Sequence, residues 1–333
     1  MGDDEQEWRA TRAWVERGLA PGERITAAER LRGGVTSEMR RLEVMGPPAL
    51  MSPPDGAGPP DLGVSGARSL VLRSFVKPFY RRHAEGLLNR EADVLRLLAQ
   101  AEGIPAARLV AVDATAAHCD DPSLLMTLLP GSVRITEEGA GARAGLLARQ
   151  LVRIHGLAVA EADRPRVYEA WTTPERVTVP PSTRRPELWA RAVDVIRQPP
   201  PRYEPRFLHR DFHPGNVLFA GTGPSLRITG VVDWVETSWG PADLDVAHCA
   251  TGLTLLHGVA AGMAFADRYE AAGGVLATGP DHLYWRLLDV LAFAPNAEKV
   301  GVPWRALGRP DLTPPLLTSR LESYVSTLMT RYG

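Results

Sequence analysis

Lysine is almost absent from this chain of 333 residues, in which Lys77 and Lys299 are the only two. The positive charge is therefore almost wholly arginine, and the formal net charge is −1 at pH 7. A chain so close to neutral lacks the bulk electrostatic attraction that draws basic proteins to nucleic acids or anionic membranes. We therefore expect neither a nucleic acid nor a membrane as a partner.

Cysteine is equally scarce, and long apolar runs are missing. Cys119 and Cys249 lie far apart and match no metal-binding spacing, which indicates a reducing compartment. No apolar run approaches the roughly 20 residues that span a membrane, and the acidic start, MGDDEQEW, differs from a secretory signal. We expect a cytoplasmic protein, in which 44% hydrophobic residues suffice for two cores.

The most informative stretch is residues 208–234, which read LHRDFHPGNVLFAGTGPSLRITGVVDW. Two short apolar runs in it, at 217–219 and 228–232, flank a Gly/Thr/Pro/Ser turn and predict a β-hairpin. Asp211 and Asn216 come just before the first run, and Asp233 comes just after the second. The hairpin therefore carries two acids and an amide to the same end.

Phosphoryl transfer needs this set of side chains. One carboxylate orients and deprotonates the acceptor hydroxyl, while an amide oxygen and a second carboxylate hold Mg²⁺ on the nucleotide phosphates. The spacing H-R-D-x-x-x-x-N followed by Asp at a strand end is the kinase catalytic-loop pattern. Asp and Asn are common in ordinary turns, but the full constellation at this spacing favours a kinase.

The same stretch resembles the aminoglycoside phosphotransferase and choline kinase group, whose signature is close to H-x-D-x-H-P-x-N followed by a hydrophobic strand and D-W. The resemblance implies that Asp211 is the catalytic base and that Asn216 and Asp233 bind Mg²⁺, with ATP or GTP as co-substrate. It implies an α+β, two-lobed, protein-kinase-like fold, with a small N-terminal antiparallel-sheet lobe and a larger, mainly helical C-terminal lobe. It also implies that Asp245 braces the catalytic loop.

The resemblance extends to a glycine turn near the start of the chain. Residues 30–44 read as strand, turn and strand, and Gly33, Gly34 and Ser37 match the G-G-x-x-N/S stretch of the family. Glycine in such a hairpin lets backbone N–H groups approach the nucleotide phosphates. We expect these three residues to contact the nucleotide, although a Gly-Gly pair by itself also suits an ordinary turn.

A strand over 69–76 carries Arg73 where the family commonly has Lys and in a number of members Arg. The resemblance implies that Arg73 meets the nucleotide phosphates, with Lys77 as the reserve candidate on the same strand face. The following helix, at about 81–101, carries Glu91 as the expected partner of this cation, with Glu85 as a competitor. An Arg–Glu pair is chemically sound because a guanidinium can hold a carboxylate through two hydrogen bonds.

The boundary between the lobes is expected near Leu129, giving an N-terminal nucleotide-binding lobe of residues 1–129 and a C-terminal catalytic and acceptor-binding lobe of residues 130–333. The resemblance implies that Met126, Thr127 and Leu128 line the base pocket through their backbone. Residues 46–68, rich in Pro and Gly, predict a long mobile loop. Further helices are predicted at about 5–19, 141–157, 186–197, 252–272, 281–294 and 313–332.

Three alternatives bear on the function. A protein kinase would need a longer segment after Asp233 and an A-P-E sequence to hold a peptide, but only eleven residues separate Asp233 from Asp245. A small-molecule acceptor, possibly an aminoglycoside or other antibiotic, is therefore favoured. A metabolic kinase for an amino alcohol or sugar, and a catalytically inactive nucleotide-binding module, stay open. Family membership does not imply antibiotic resistance, and the charges between 252 and 301 do not choose the acceptor.

Overall fold

The structure is a computed structural model, and it describes residues 8–31, 37–46, 66–295 and 297–333. The chain divides into two compact units. The first comprises the described residues up to Arg96 together with Ala107–Leu128, and the second comprises Leu97–Ala106 and Leu129–Gly333. The boundary between Leu128 and Leu129 lies at the expected place, and residues 97–106 group with the second unit.

Two hydrogen bonds join the segment 97–106 to the rest of the second unit. The side-chain amide of Gln150 donates to the carbonyl of Gly103 at 3.1 Å. The N–H of Val231 donates to the carbonyl of Pro105 at 2.8 Å. Both partners belong to the second unit, so the segment is part of that unit although it precedes the boundary in sequence.

The first unit is built on an antiparallel sheet. Its strands are β1 (Arg24–Arg30), β2 (Glu38–Met45), β3 (Ala67–Ser74), β4 (Leu109–Asp113) and β5 (Ser123–Thr127), and its helices are α1 (Arg9–Arg17) and α2 (Pro78–Leu98, which ends in the second unit). The strand order is β1-β2-β3-β5-β4, with every neighbouring pair antiparallel. The predicted strand at 69–76 and helix at 81–101 thus correspond to β3 and α2.

The core of the first unit joins α1 to the sheet. It consists of the buried side chains of Trp8, Val15, Ile25, Leu42, Val44, Leu70, Leu72 and Leu125. On β2 the buried positions alternate, as expected for a strand with one covered face, whereas β3 is buried from Leu70 to Ser74 because it lies in the middle of the sheet. The predicted turn at residues 32–36 and residues 47–65 of the predicted loop lie outside the described residues.

The second unit contains five short strands and most of the helices. The strands are β6 (Ser132–Val133), β7 (Pro205–Leu208), β8 (Val217–Ala220), β9 (Arg227–Val231) and β10 (Ser238–Pro241); the helices are α3 (Ala140–His155), α4 (Pro186–Ile196), α5 (Ala242–His257), α6 (Val259–Ala271), α7 (Gly279–Val290), α8 (Glu298–Ala306) and α9 (Pro314–Tyr332). Strands β8 and β9 form the predicted hairpin, and β6 pairs with β8. Strands β7 and β10 form a separate antiparallel pair.

Helix α5 is the central helix of the second unit, and it packs against α6 and α7. Every residue from Ala242 to Leu256 is buried, which is typical of a helix surrounded by other elements. The predicted helix over 252–272 is wrong in its limits. The helix already begins at Ala242, and Gly258 (φ 94°) separates α5 from α6. A left-handed backbone of this kind suits glycine and ends a helix.

Within the described part of the chain, no helix is both long and apolar enough to cross a lipid bilayer.

Candidate functional site

The hairpin of β8 and β9 brings the predicted acids and amide together at one end. Val217 lies opposite Val231 in the ladder. Beyond that pair, the N–H of Val232 donates to the carbonyl of Asn216 at 3.0 Å. Asn216 is therefore a direct neighbour of the residue that precedes Asp233. The sequence prediction that these residues share one end of the hairpin is correct.

We call residues 209–216 the catalytic loop, after the kinase sequence pattern that they match. His209 connects the start of this loop to the end of β9. Its Nε2 donates to the carbonyl of Val232 at 3.0 Å, and its Nδ1 accepts the N–H of Asp211 at 3.2 Å. One nitrogen thus donates while the other accepts, which is the pattern of a neutral ring. Burial lowers the pKa of His209, so the ring stays neutral at physiological pH.

Two residues of the site have left-handed backbone conformations. Arg210 has φ 71° and Asp233 has φ 65°, values that cost energy for residues other than glycine. At Arg210 the conformation is held from both sides of the residue. The guanidinium lies 4.3 Å from the ring centre of Trp171, and the N–H of Arg210 donates to Asp245 Oδ1 at 2.7 Å.

Asp245, on α5, braces the catalytic loop as the sequence predicts. Besides the N–H of Arg210, it accepts the N–H of His209 at Oδ2, at 2.8 Å. His155 Nε2 lies 3.1 Å from the same oxygen. Burial alone would raise the pKa of Asp245, but the hydrogen bond and charge of His155 outweigh it and lower that pKa. Asp245 is fully buried, so its role is to hold the loop backbone.

The carboxylate of Asp211 is held by donors at both of its oxygens. Asn216 Nδ2 donates to Oδ2 at 2.8 Å and to the carbonyl of Asp211 at 2.9 Å. On the other side, His248 Nε2 lies 3.1 Å from Oδ1, and His213 Nε2 lies 3.7 Å from the same oxygen. Two hydrogen-bond donors on two oxygens fix the plane of the carboxyl group.

The ionisation of Asp211 follows from these neighbours. Burial alone would raise its pKa, but His213, which is charged in the acid range where Asp211 titrates, and the hydrogen bond and charge of His248 hold the pKa of Asp211 below its ordinary value. Burial would also discharge His248, but the carboxylates of Asp289 and Asp211 raise the pKa of His248 to about 9. At neutral pH the site therefore contains a carboxylate paired with an imidazolium.

Sequence reasoning did not find His248 or Asp289. His248 Nδ1 lies 2.9 Å from Asp289 Oδ1, and Thr251 Oγ1 donates to Asp289 Oδ2 at 2.7 Å. The sequence shows Asp289 only as one acid among several, and it lies 41 positions from His248. A signal does exist on α5, where Asp245, His248 and Gly252 recur at helical spacing and so share one face.

That face of α5 supports the whole catalytic loop. Asp245 holds the backbone of residues 209 and 210, and His248 contacts Asp211. One turn further along, a methyl group placed on Gly252 would lie 3.3 Å from His213 Cβ and 3.5 Å from Pro214 Cδ. Successive loop residues thus lie against successive turns of one helix.

In the first unit, Arg73 and Glu91 are paired as the resemblance implies. Arg73 Nη1 donates to Glu91 Oε2 at 2.8 Å, and both side chains are buried. The alternatives Lys77 and Glu85 are both exposed. The geometry therefore decides which pair forms, whereas the contact of Arg73 with a nucleotide stays a prediction.

Of the other residues predicted to contact the nucleotide in the first unit, the structure describes Ser37. Gly33 and Gly34 lie outside the described residues. Ser37 is buried, and its hydroxyl lies 3.6 Å from Met39 Sδ.

The backbone predicted to line the base pocket belongs to the sheet. Met126 pairs with Val71 and Leu109 in the ladder. The N–H of Thr127 donates to Arg108 O at 2.9 Å, and the N–H of Leu128 donates to Ser69 O at 3.1 Å. These two N–H groups are therefore already used inside the sheet.

A comparison with protein families gives the class of this chain. The sequence model of the APH phosphotransferase enzyme family matches residues 62–288, more than half of the chain. The chain belongs to this family. It is a small-molecule phosphotransferase, and hence a small-molecule kinase. The match includes the catalytic loop, the hairpin and α5.

Solved structures agree with this assignment at the level of the fold. A putative aminoglycoside phosphotransferase from Ralstonia eutropha JMP134 is 18% identical, with TM-score 0.58, over 96% of this chain and 98% of that one. An aminoglycoside-3′-phosphotransferase of type VIII is 21% identical, with TM-score 0.53, over 86% and 98%. A macrolide 2′-phosphotransferase from Brachybacterium faecium is 16% identical, with TM-score 0.52, over 96% and 97%.

At these identities the structures establish the fold and leave the acceptor open. The phosphotransferase has the kinase-like fold, with a five-stranded antiparallel sheet followed by a mostly helical region. No curated protein matches the chain by sequence. Among similar structures, one phosphotransferase was solved with GDP and kanamycin, and another with ADP and hygromycin B.

Proposed function

We propose that this phosphotransferase moves the γ-phosphate of ATP or GTP to a hydroxyl group of a small molecule, with Asp211 as the catalytic base. The observation that carries the proposal is the fixed carboxylate of Asp211, held by Asn216 at one oxygen and by His248 at the other. Each oxygen keeps a second lone pair, because a carboxylate offers about four acceptor sites in total. A hydroxyl group can therefore still donate to Asp211.

The proposed reaction uses this carboxylate as follows. Asp211 accepts the hydrogen bond of the acceptor hydroxyl and orients its oxygen toward the γ-phosphorus. As the new O–P bond forms, the O–H proton moves to Asp211, and the bond from the γ-phosphorus to the bridging oxygen breaks. The nucleoside diphosphate leaves with that electron pair. Because its pKa is lowered, Asp211 is a weak base, which suits orientation followed by late proton transfer.

Asn216 and Asp233 would hold Mg²⁺, and the donor set fits that ion. The amide nitrogen of Asn216 is bound to Asp211, so its Oδ1 is the branch left to face a ligand. With the carboxylate of Asp233 this gives two oxygen donors, and Mg²⁺ prefers oxygen and usually keeps several waters. When bound, the ion would neutralise charge on the nucleotide phosphates.

For the nucleotide, the proposal assigns phosphate contacts to Arg73, Gly33, Gly34 and Ser37, and base contacts to the backbone of 126–128. The buried Arg73–Glu91 pair supports an active enzyme over an inactive module, because Arg fills the usual lysine position with its carboxylate partner in place. Since the N–H groups of Thr127 and Leu128 are engaged in the sheet, carbonyl oxygens of this run are the better candidates for contact with the base.

Aminoglycoside and macrolide antibiotics are the first acceptors to test, because phosphotransferases named for both classes share this fold. Amino alcohols and sugars are the second group. The test is acceptor-stimulated release of nucleoside diphosphate from Mg-ATP and Mg-GTP, with Asp211→Asn beside the wild type. Stimulation that is absent from the variant would support the kinase and name its acceptor class. Nucleotide binding with no turnover on any acceptor, or equal turnover by the variant, would contradict the proposal.

A further inference from the structure

His248 lies between two carboxylates. Its Nδ1 is 2.9 Å from Asp289 Oδ1, and its Nε2 is 3.1 Å from Asp211 Oδ1. A carboxylate can only accept hydrogen bonds, so each ring nitrogen must carry a proton to make its contact. Asp211 and Asp289 both have lowered pKa values, and with both ionised the geometry calls for an imidazolium between them.

A metal ion is the competing explanation, because Asp211, His213 and His248 have ligand atoms within 4.8 Å of one another. The hydrogen bonds of His213 argue against it. Its Nδ1 accepts the N–H of Gly215 at 3.0 Å, so the neutral ring carries its proton on Nε2, the atom that would have to bind the metal. The pKa of His213, which burial lowers to about 4, keeps that ring neutral. An ion pair fits the cluster better.

The Nδ1 side of the His248 ring, which faces away from Asp211, is also held by neighbouring side chains. Asp289 is buried and accepts a hydrogen bond from His248 Nδ1 at one oxygen and from the hydroxyl of Thr251 at the other. Trp171 meets the His248 ring edge-on at 4.8 Å between centroids, and Phe293 lies 5.9 Å from it. A ring enclosed in this way has one orientation, and it transmits that orientation to Asp211.

We propose that His248, anchored by Asp289, is a positioning residue for phosphoryl transfer: it holds Oδ1 of Asp211 and thereby fixes the direction in which the carboxylate meets the acceptor hydroxyl. This inference rests on the proposed function. It explains why a buried helix carries a charged ring at this place, since a buried ion pair contributes little stability relative to apolar side chains of similar volume. It also separates His248 from residues that merely fill the core.

The first test compares His248→Gln and His248→Leu with the matched control His282→Gln. His282 is also a buried histidine hydrogen-bonded to an aspartate, with Nδ1 3.0 Å from Asp243 Oδ1, but it does not touch Asp211. His248→Leu should lower kcat roughly 10- to 100-fold with the nucleotide KM unchanged, because the reacting group is misdirected and binding is not. His248→Gln, whose amide can still donate, should recover part of this loss.

A double variant sharpens the test. If His248 acts through Asp211, adding His248→Leu to Asp211→Asn should lower the residual turnover by no more than about twofold, since residues that act as a unit are not additive. The proposal is overturned if His248→Leu keeps the kcat of the wild type, if it loses no more than His282→Gln, or if its effect multiplies fully with that of Asp211→Asn.

A measurement on the unaltered protein needs neither an acceptor nor a folded variant. In ¹⁵N-labelled protein at neutral pH, His248 should show two protonated ring nitrogens, whereas His209 and His213 should show one each. A single protonated nitrogen on His248 would overturn the inference even if the enzyme is active. Two protonated nitrogens in a protein that phosphorylates no acceptor would instead leave the ion pair standing and refute the proposed function.

Discussion

Each of the two units contains a carboxylate paired with a buried cation, but the cations differ in kind. In the first unit Glu91 is paired with Arg73, whose guanidinium keeps its charge at any physiological pH. In the second unit Asp211 is paired with His248, whose ring is charged only because two carboxylates face it. The charge of Arg73 is permanent, whereas the charge of His248 depends on the carboxylates around it.

The difference follows from what each pair is expected to do. A guanidinium presents five N–H donors, so one arginine can hold a carboxylate and contact phosphates with the same group, which is the role proposed for Arg73. An imidazolium has two N–H donors, and His248 donates one to Asp289 and the other to Asp211. It has no donor left for a ligand, which makes it a device for orienting Asp211 and not a binding group.

The largest expected effect concerns Asp211. Asp211→Ala should lower kcat by roughly 10²–10⁴, the usual size of a general-base contribution. The nucleotide KM should change little, because the acceptor hydroxyl and not the nucleotide is its proposed partner. Steady-state kinetics over a range of Mg-nucleotide concentrations measures both quantities. Asp194→Ala, which removes an exposed carboxylate paired with Arg197 on α4, is the control and should match the wild type.

The second prediction concerns the pair of Arg73 with Glu91. Arg73→Ala removes from Glu91 the cation that Arg73 supplies and should lower the free energy of unfolding by about 3–5 kcal/mol, because breaking a buried pair leaves a charge poorly compensated. The exposed pair of Arg96 with Asp93 provides a control, and Arg96→Ala should cost less than about 1 kcal/mol. Urea denaturation of the variants tests this, and equal costs at the two sites would refute the contrast.

The parts of the site that the sequence predicted are those whose residues are near neighbours in the chain. Asp211, Asn216 and Asp233 lie on one hairpin, and a hairpin brings its two ends together whatever surrounds it. The Arg73–Glu91 pair needed the family resemblance as well, because spacing alone did not exclude Lys77 or Glu85. Arg73 and Glu91 are buried whereas Lys77 and Glu85 are exposed, and this difference exists only in the folded chain.

What the sequence did not predict are contacts between distant segments. His248 meets Asp211 across 37 positions and Asp289 across 41, and no local pattern marks such a pair. The strands β7 and β10 were missed because each is only four residues long and contains proline. Gly252 sits in the interior of a helix because that face is packed against His213 and Pro214.

The third prediction tests whether the second pair depends on pH. The pKa of His248 is about 9 in the folded protein, against an ordinary value of 6.5. Because the folded value is the higher one, its stabilising contribution is complete below pH 6.5 and is lost as the pH rises through about 9. In this window Asp211 and Asp289, both with lowered pKa values, stay ionised, and His213 stays neutral.

The expected size of this contribution is about 3 kcal/mol. The difference in unfolding free energy between the wild type and His248→Gln should therefore shrink by that amount between pH 6.5 and 9.5. The difference between the wild type and Arg73→Ala should stay nearly constant over the same range, because the guanidinium does not titrate there. Parallel pH dependence of the two differences would mean that the pairs do not differ in the way described.

The smallest expected effect tests whether the face of α5 at Gly252 helps to position the loop that carries Asp211. Gly252→Ala adds a methyl group 3.3 Å from His213 Cβ, closer than an ordinary contact. Alanine in a helix is otherwise favoured over glycine by about 1 kcal/mol.

Gly145→Ala on α3 is the matched control, since its methyl group would meet only the ends of two arginine side chains, at 3.7 and 3.9 Å. This variant should gain about 0.5–1 kcal/mol in the free energy of unfolding and keep full activity. Gly252→Ala should show less stabilisation than the control and a kcat a few-fold below that of the wild type, because the loop that carries Asp211 must shift to make room. If both variants gain stability equally and both keep kcat, then the face of α5 does not set the position of the loop, and the direction of Asp211 is fixed by Asn216 and His248 alone.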